Sequence, residues 1–181
     1  MAGIPHDESI KVLIVDDDSE DRMIIRDMLS EADTRFNTAS VGTLEDALHV
    51  LCEDTTSPDV VLLDLMLPDS EGLETSQRVK EAKPDVPVVV LTGVRDEEAG
   101  LQALQVGAQD YLTKTDINSK LLEHAVLYAV ERQELESRLK GVLRELDHEF
   151  ELMAEVQHSL LPTESPDVPG YDLSVHYQAA R

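Results

Sequence analysis

A doubly wound α/β domain built on a five-stranded parallel sheet, followed by one long helix, is the architecture that the sequence predicts. Three observations carry it. Short apolar runs end abruptly at polar residues: Lys11 to Val15 before Asp16, Val60 to Leu63 before Asp64, and Val88 to Leu91 before Thr92. Strands buried on both faces read as continuous aliphatic runs of this kind rather than as alternating ones. These runs alternate with stretches whose apolar residues recur at helical spacing, and parallel strands joined in this way need crossover helices of fixed hand. From about Lys120, finally, no glycine occurs except Gly141 and no proline before Pro162.

The elements follow in order. After the first strand and its Asp16-Asp17-Asp18 end, Ser19 is the expected N-cap of a helix whose Ile25, Met28 and Leu29 share a face. A weak second strand is expected over Asn37 to Ser40, then Gly42-Thr43, then a helix with Leu44, Ala47, Leu48 and Leu51 on its inward side. Ser57-Pro58-Asp59 breaks the chain before the third strand, which ends at Asp64 and is followed by Pro68 and by a helix from Gly72 to Ala82. Pro87 to Gly93 supplies the fourth strand, Glu97 to Val106 a short helix, and Tyr111 to Lys114 the fifth strand; Asp116 and Asn118 signal the start of the last helix. Five strands in this arrangement predict a flavodoxin-like sheet of order 2-1-3-4-5.

The long helix carries Tyr128, Leu135, Leu139, Val142, Leu146, Met153, Val156 and Leu160 at alternating three- and four-residue steps, with Arg132 and Glu149 as polar members. That spacing is a coiled-coil seam. A step to Phe150 instead of Glu149 would be a stutter that locally unwinds the supercoil. Such a helix reaches on the order of 60 Å, too long to lie along a small domain, and a dimeric coiled coil is the expectation.

Composition narrows the function. The chain has 181 residues and a formal net charge of −23. That charge disfavours direct contact with nucleic acid or with an anionic membrane. A single cysteine, Cys52, excludes an internal disulfide and fits a reducing compartment; it is expected to be a buried small hydrophobe. Met1 to Lys11 has no signal-peptide pattern and no apolar run has membrane-spanning length, so a cytoplasmic protein is expected. His148-Glu149 begins a zinc-protease-like pair, but Leu152 stands where the second histidine would be, and no phosphate-binding glycine loop is present.

The chemistry lies at the strand ends. In the predicted order the first, third, fourth and fifth strands are neighbours, so Asp16, Asp17, Asp64, Thr92 and Lys114 converge at the carboxyl edge of the sheet, where open α/β sheets bind ligands. Clustered carboxylates repel one another, and a hard divalent cation offsets the repulsion; magnesium suits such oxygen ligands and is commonly shared with a phosphate. A lysine and a hydroxyl opposite suit a phosphoryl group.

With Arg22 downstream of Asp16-Asp17, Leu63 to Pro68 followed by Gly72, Thr92-Gly93, and Tyr111 to Lys114, the stretch from Lys11 to Gln133 resembles the receiver domains of two-component response regulators. The resemblance implies that Asp64 is the phosphoacceptor, that Asp17, Asp64 and the main-chain carbonyl of Met66 ligate Mg2+, with Mn2+ as an alternative, and that Asp16 assists through water. It implies that Lys114 contacts the phosphoryl group, that Thr92 moves to bond it, and that Tyr111 follows as the switch aromatic. A sensor histidine kinase or a phosphotransfer protein would be the donor. Thr115 departs from the family, which usually has a proline after the lysine, often with a cis bond; without proline that bond costs about 3 kcal/mol and is not assumed. Met66 and Val94 at the pocket rim are apolar, and are expected to slow water attack on the phosphorylated aspartate.

Glu155 to Pro162, with Pro169-Gly170-Tyr171 and Tyr177 to Arg181, resembles the segment that enters PPM-type, metal-dependent serine/threonine phosphatase domains. The expected organisation is an N-terminal tail over residues 1–9, a receiver over 10–133, a coiled-coil helix over 134–161, and a linker over 162–181 into a phosphatase domain acting on a phosphoprotein. The other readings are a phosphorylation-independent adaptor module, and a receiver that controls a cyclic-dinucleotide or DNA-binding output.

Overall fold

The computed structural model describes residues 9–53, 57–93, 102–105 and 107–159. Its elements are β1 (Ile10–Val15), α1 (Ser19–Ser30), β2 (Phe36–Val41), α2 (Leu44–Cys52), β3 (Val60–Asp64), β4 (Met66–Leu67), β5 (Ser70–Glu71), α3 (Leu73–Ala82), β6 (Val88–Thr92), β7 (Asp110–Thr113) and a long helix, Ser119–Ser159. Five strands make one parallel sheet in the order β2-β1-β3-β6-β7. Counted within that sheet alone, this is the expected 2-1-3-4-5. The fourth crossover helix is represented by helical residues 102–105; the rest of the expected helix, 97–101 and 106, lies outside the described residues.

Why the sheet is covered on both faces follows from the pleat, which sends successive side chains to opposite sides. Leu13, Val15, Val61, Leu63, Val88 and Val90 join Leu44, Ala47 and Leu51 of α2 and Val79 of α3 in one core. Val12, Ile14, Val60, Leu62, Val89 and Leu91 join Ile25 and Leu29 of α1 and Leu122, Ala125, Val126 and Ala129 of the long helix in the other. β3 and β6 are buried along their whole lengths, which is why they read as unbroken aliphatic runs.

Several boundaries differ in instructive ways. The N-cap of α1 is Asp18, not Ser19: its carboxylate accepts the Glu20 N–H at 2.8 Å, and Ser19 is already helical. A carboxylate there also meets the positive end of the helix dipole. β4 and β5, absent from the sequence reading, pair antiparallel across Pro68-Asp69. Cys52 is exposed at the end of α2 rather than buried. No cis peptide bond occurs among the described residues, so Lys114-Thr115 is trans.

The long helix starts after Asn118, whose side chain accepts the Leu121 N–H at 3.0 Å. Its Gln133 is buried and accepts from Gln109 Nε2 at 3.2 Å, while Gln109 Oε1 accepts the Val88 N–H at 3.0 Å. This amide pair ties the helix to the amino-terminal ends of β6 and β7. By contacts the chain divides into two units, Met1–Leu135 and Glu136–Arg181. In the second, Leu139, Val142, Leu143, Leu146, Phe150, Leu152, Met153 and Val156 are exposed on a continuous helix. No helix among the described residues is long and apolar enough to cross a membrane.

The start of α2 is capped partly from outside. Thr43 Oγ1 accepts the Asp46 N–H, and Asp69, between β4 and β5, accepts the Leu44 and Glu45 N–H groups at 2.9 Å each. The Leu44 hydrogen bond is the main cause holding the Asp69 carboxyl below its usual range; burial opposes it and the Glu45 bond adds to it. Asp69→Ala is expected to cost about 1 kcal/mol at neutral pH. Because the folded pKa is the lower one, this contribution is present above the unfolded aspartate value of about 3.9 and is lost as pH falls through the folded value. Urea titrations of both proteins at neutral and strongly acid pH should show the gap closing with acid; a gap that persists contradicts the assignment.

Candidate functional site

The sheet order delivers the functional groups to one edge. Asp16 and Asp17 follow β1, Asp64 is the last residue of β3, Thr92 the last of β6, and Lys114 follows β7. Each of these strands is hydrogen-bonded to the next in the series. Asp16, Asp64 and Thr92 are buried and Asp17 is exposed. One carboxylate oxygen from each of Asp16, Asp17 and Asp64 lies within 4.8 Å of the others.

Lys114 sits among these acids. Its Nζ is 2.5 Å from Asp64 Oδ2, 2.7 Å from Asp16 Oδ2 and 2.8 Å from Asp21 Oδ2. Burial pushes the Asp16 carboxyl above its usual range, against the pull of Lys114. For Lys114 itself burial acts downward, but its close contacts with the Asp16, Asp21 and Asp64 carboxylates outweigh it and raise the ammonium above its ordinary value. Lys114 is therefore a fixed cation.

Local hydrogen bonds set the acids in place. Asp16 Oδ1 accepts the Asp18 N–H at 2.9 Å, and the Asp16 carbonyl accepts from Arg22 Nη1 at 2.5 Å. Asp64 Oδ1 accepts the Met66 N–H at 2.9 Å, and the Thr92 carbonyl accepts the Lys114 N–H at 2.8 Å. Downstream of Asp64, the Leu65 carbonyl accepts the Gly72 N–H at 2.8 Å and Thr75 Oγ1 donates to Ser70 Oγ at 2.8 Å.

All five expected strand-end residues thus lie at the same edge. Thr92 Oγ1 is buried and has no hydrogen-bond partner among the described residues; Gly93 follows it directly. Tyr111 is half-buried against the core shared with α2 and α3, and Met66 is exposed. Val94 and Leu160 lie outside the described residues. Leu135, like Leu139, Val142, Leu146, Met153 and Val156, is exposed. Asp21 was not foreseen. It lies in the first turn of α1, where the sequence marks it only as a solvated acid, and the fold brings Lys114 beside it.

Residues 12–126 match the family model described as the response regulator receiver domain. The chain belongs to that family. Among curated relatives, the phosphate regulon transcriptional regulatory protein PhoB of Pseudomonas aeruginosa is 35% identical over 139 residues, covering 74% of this chain and 51% of the relative. The DNA-binding transcriptional regulator NtrC of Escherichia coli K12 is 33% identical over 149 residues, covering 80% of this chain and 31% of the relative. The chain thus spans about half or less of the length of these relatives. Among solved structures, a receiver domain protein from Clostridium thermocellum superposes with a TM-score of 0.62 at 27% identity, covering 70% of this chain and 98% of the other. The NtrX receiver domain of Brucella abortus gives 0.59 at 27% identity, over 66% and 98%.

Receiver domains bind Mg2+ through an acidic cluster, and the groups here fit it. The donors are all oxygen, as a hard cation requires. Asp16 Oδ2, buried, has the lysine charge beside it but no hydrogen bond among the described residues.

Gly72 closes the loop that follows Asp64, with φ +63 and ψ −137, a region closed to residues with a Cβ. Gly72→Ala is expected to destabilise the domain by about 1–3 kcal/mol in chemical denaturation, although nothing lies within 4 Å of the added carbon. A loss within error of zero would show that the loop relaxes freely.

Proposed function

We propose that this receiver domain accepts a phosphoryl group on Asp64 from a phosphohistidine of a sensor kinase or phosphotransfer protein, and passes the change to its long helix. The observation that carries the reading is the Lys114 ammonium held between Asp64 and Asp16 at the carboxyl edge of the sheet, beside the exposed Asp17. Asp64 would offer an oxygen to phosphorus, the bond from phosphorus to the donor nitrogen would break, and the imidazole would leave. Lys114 supplies a fixed positive charge for the transferring oxygens, and the work is positioning and electrostatics.

Asp17, Asp64 and the Met66 carbonyl would hold the metal, with Asp16 assisting through water; Mn2+ is an alternative occupant. When bound, the ion neutralises charge on the phosphoryl oxygens. The unpartnered Thr92 hydroxyl is suited to bond the added phosphoryl group, with Tyr111 moving inward after it. Gly93, with no side chain, leaves the main chain beside Thr92 accessible.

The receiver would run over residues 10–133 and the signalling helix over 134–161, in a cytoplasmic protein. The exposed stripe through Leu135, Leu139, Val142, Leu146, Met153 and Val156 supports pairing with a second copy, because a stripe shared by identical chains is self-complementary. Leu160 continues the same spacing. Exposed Leu143 and Phe150 broaden the stripe.

For the output, the resemblance of Glu155 to Arg181 supports a PPM-type phosphatase acting on a phosphoprotein. The names of the curated relatives, which are transcriptional regulators, support a DNA-binding output instead. The net charge of −23 favours the first for contacts made by this chain itself.

Intact-mass measurement after incubation with acetyl phosphate or phosphoramidate and Mg2+ should give a single phosphate adduct that is absent from Asp64→Asn. An adduct retained in that variant, or none in the wild type with either donor, would sink the reading and leave a phosphorylation-independent adaptor. For the helix, Leu139→Asp combined with Leu146→Asp should turn a dimer into a monomer in analytical ultracentrifugation. A wild-type monomer at micromolar concentration would remove the coiled coil.

A further inference from the structure

The Lys114 ammonium has three protons to donate. Three carboxylate oxygens lie around it, from Asp64 at 2.5 Å, Asp16 at 2.7 Å and Asp21 at 2.8 Å. Two of the protons are donated to Asp64 and Asp21, while Asp16 Oδ2 stands beside the ammonium as a counter-charge without a hydrogen bond among the described residues. A phosphoryl oxygen brought to Asp64 therefore enters a lysine environment already occupied by three carboxylates.

The three partners are not equal in the cost of release. The Asp16 side chain is fully buried and that of Asp64 is 10% exposed, so breaking either contact leaves a buried charge without its counter-ion. Asp21 is 36% exposed, on the first turn of α1, where water can replace the lysine. Asp21 is also outside the set of three acids whose oxygens cluster within 4.8 Å. Its contact here is with the lysine.

We propose that Asp21 is a positioning residue that holds the place of the incoming phosphoryl group: it occupies the releasable donor of Lys114 and, by its charge, biases the site against dianionic phosphoryl donors. The inference rests on the reading of Asp64 as phosphoacceptor. Asp21 bonds Lys114, lies outside the cluster of Asp16, Asp17 and Asp64, and acts through the lysine. With Asp21 in place, the lysine is partly neutralised and a second anion stands beside the entry path. A donor with two negative charges loses more from this than a donor with one.

Two small donors separate the effects. Acetyl phosphate is a dianion at neutral pH and phosphoramidate a monoanion. In both, an Asp64 oxygen attacks phosphorus; the bond from phosphorus to the leaving oxygen or nitrogen breaks, and acetate or ammonia departs. Rates of adduct formation in Mg2+ should be compared for the wild type, Asp21→Asn and Asp21→Glu. The expected result is that Asp21→Asn accelerates the acetyl phosphate reaction about threefold or more relative to the phosphoramidate reaction. The difference should shrink as ionic strength rises to about 0.5 M. Asp21→Glu should return the ratio towards that of the wild type.

Calorimetric titration with Mg2+ alone gives a readout that does not depend on turnover. Its affinity in Asp21→Asn should stay within about threefold of the wild type, as expected for loss of a nearby charge but not of a ligand. A fall as deep as that caused by Asp17→Asn would make Asp21 a metal ligand and overturn the assignment. So would an unchanged ratio between the two donors. If the wild type forms no adduct with either donor, the phosphoacceptor reading itself fails; if it does and only the ratio is unmoved, that reading stands and the role of Asp21 falls alone.

Discussion

The ammonium of Lys114 is the contact on which the site depends. Four aspartates, Asp16, Asp17, Asp21 and Asp64, approach one edge of the sheet, and among the described residues the lysine is the cation placed against three of them. Without a cation, two buried carboxylates so close would resist ionisation. The lysine's charge offsets their mutual repulsion and holds the acids in place, and its main chain is tied to β6 through the Thr92 carbonyl. Charge and backbone are thus joined at one residue, and the nucleophile, the buried hydroxyl and the cation are positioned as a group.

That grouping needs a sheet that does not yield. β3 and β6 are buried at every position and lie side by side, with Asp64 opposite Leu91 in the register. A one-residue slip would send each side chain to the wrong face and bury none of the two cores properly. The Gln109–Gln133 pair adds a polar tie at the opposite edge, where the amide of Gln109 joins Val88 to the long helix. The strand that carries Thr92 at one end is held to the helix at the other.

Much of this was legible in the chain. The aliphatic runs that stop at Asp16, Asp64 and Thr92 identified the strands, because full burial on both faces leaves no room for polar residues. Their order followed from the flavodoxin-like, doubly wound arrangement, and the convergence of the strand ends followed from the order. What could not be read was what depends on which element stands opposite another. The run Asp16-Asp17-Asp18-Ser19 offers several acceptable caps, and only the backbone path selects Asp18. β4 and β5 are two residues each, too short to show a period. Asp21 carries the pattern of a solvated helix residue, and only the folded sheet brings Lys114 to it from 93 positions away.

The Asp69 cap also bears on how this domain can vary. Surface loops ordinarily tolerate insertions, since lengthening a loop adds little closure entropy. The turn after Asp64 is tied at both sides: the Leu65 carbonyl holds Gly72, and Asp69 holds the first two residues of α2. An added residue between Leu67 and Gly72 would carry the carboxylate away from the Leu44 and Glu45 N–H groups and break the pairing of β4 with β5. This exposed turn therefore has the length constraint of a core element, and the first turn of α2 and the loop beside Asp64 are bound to change together.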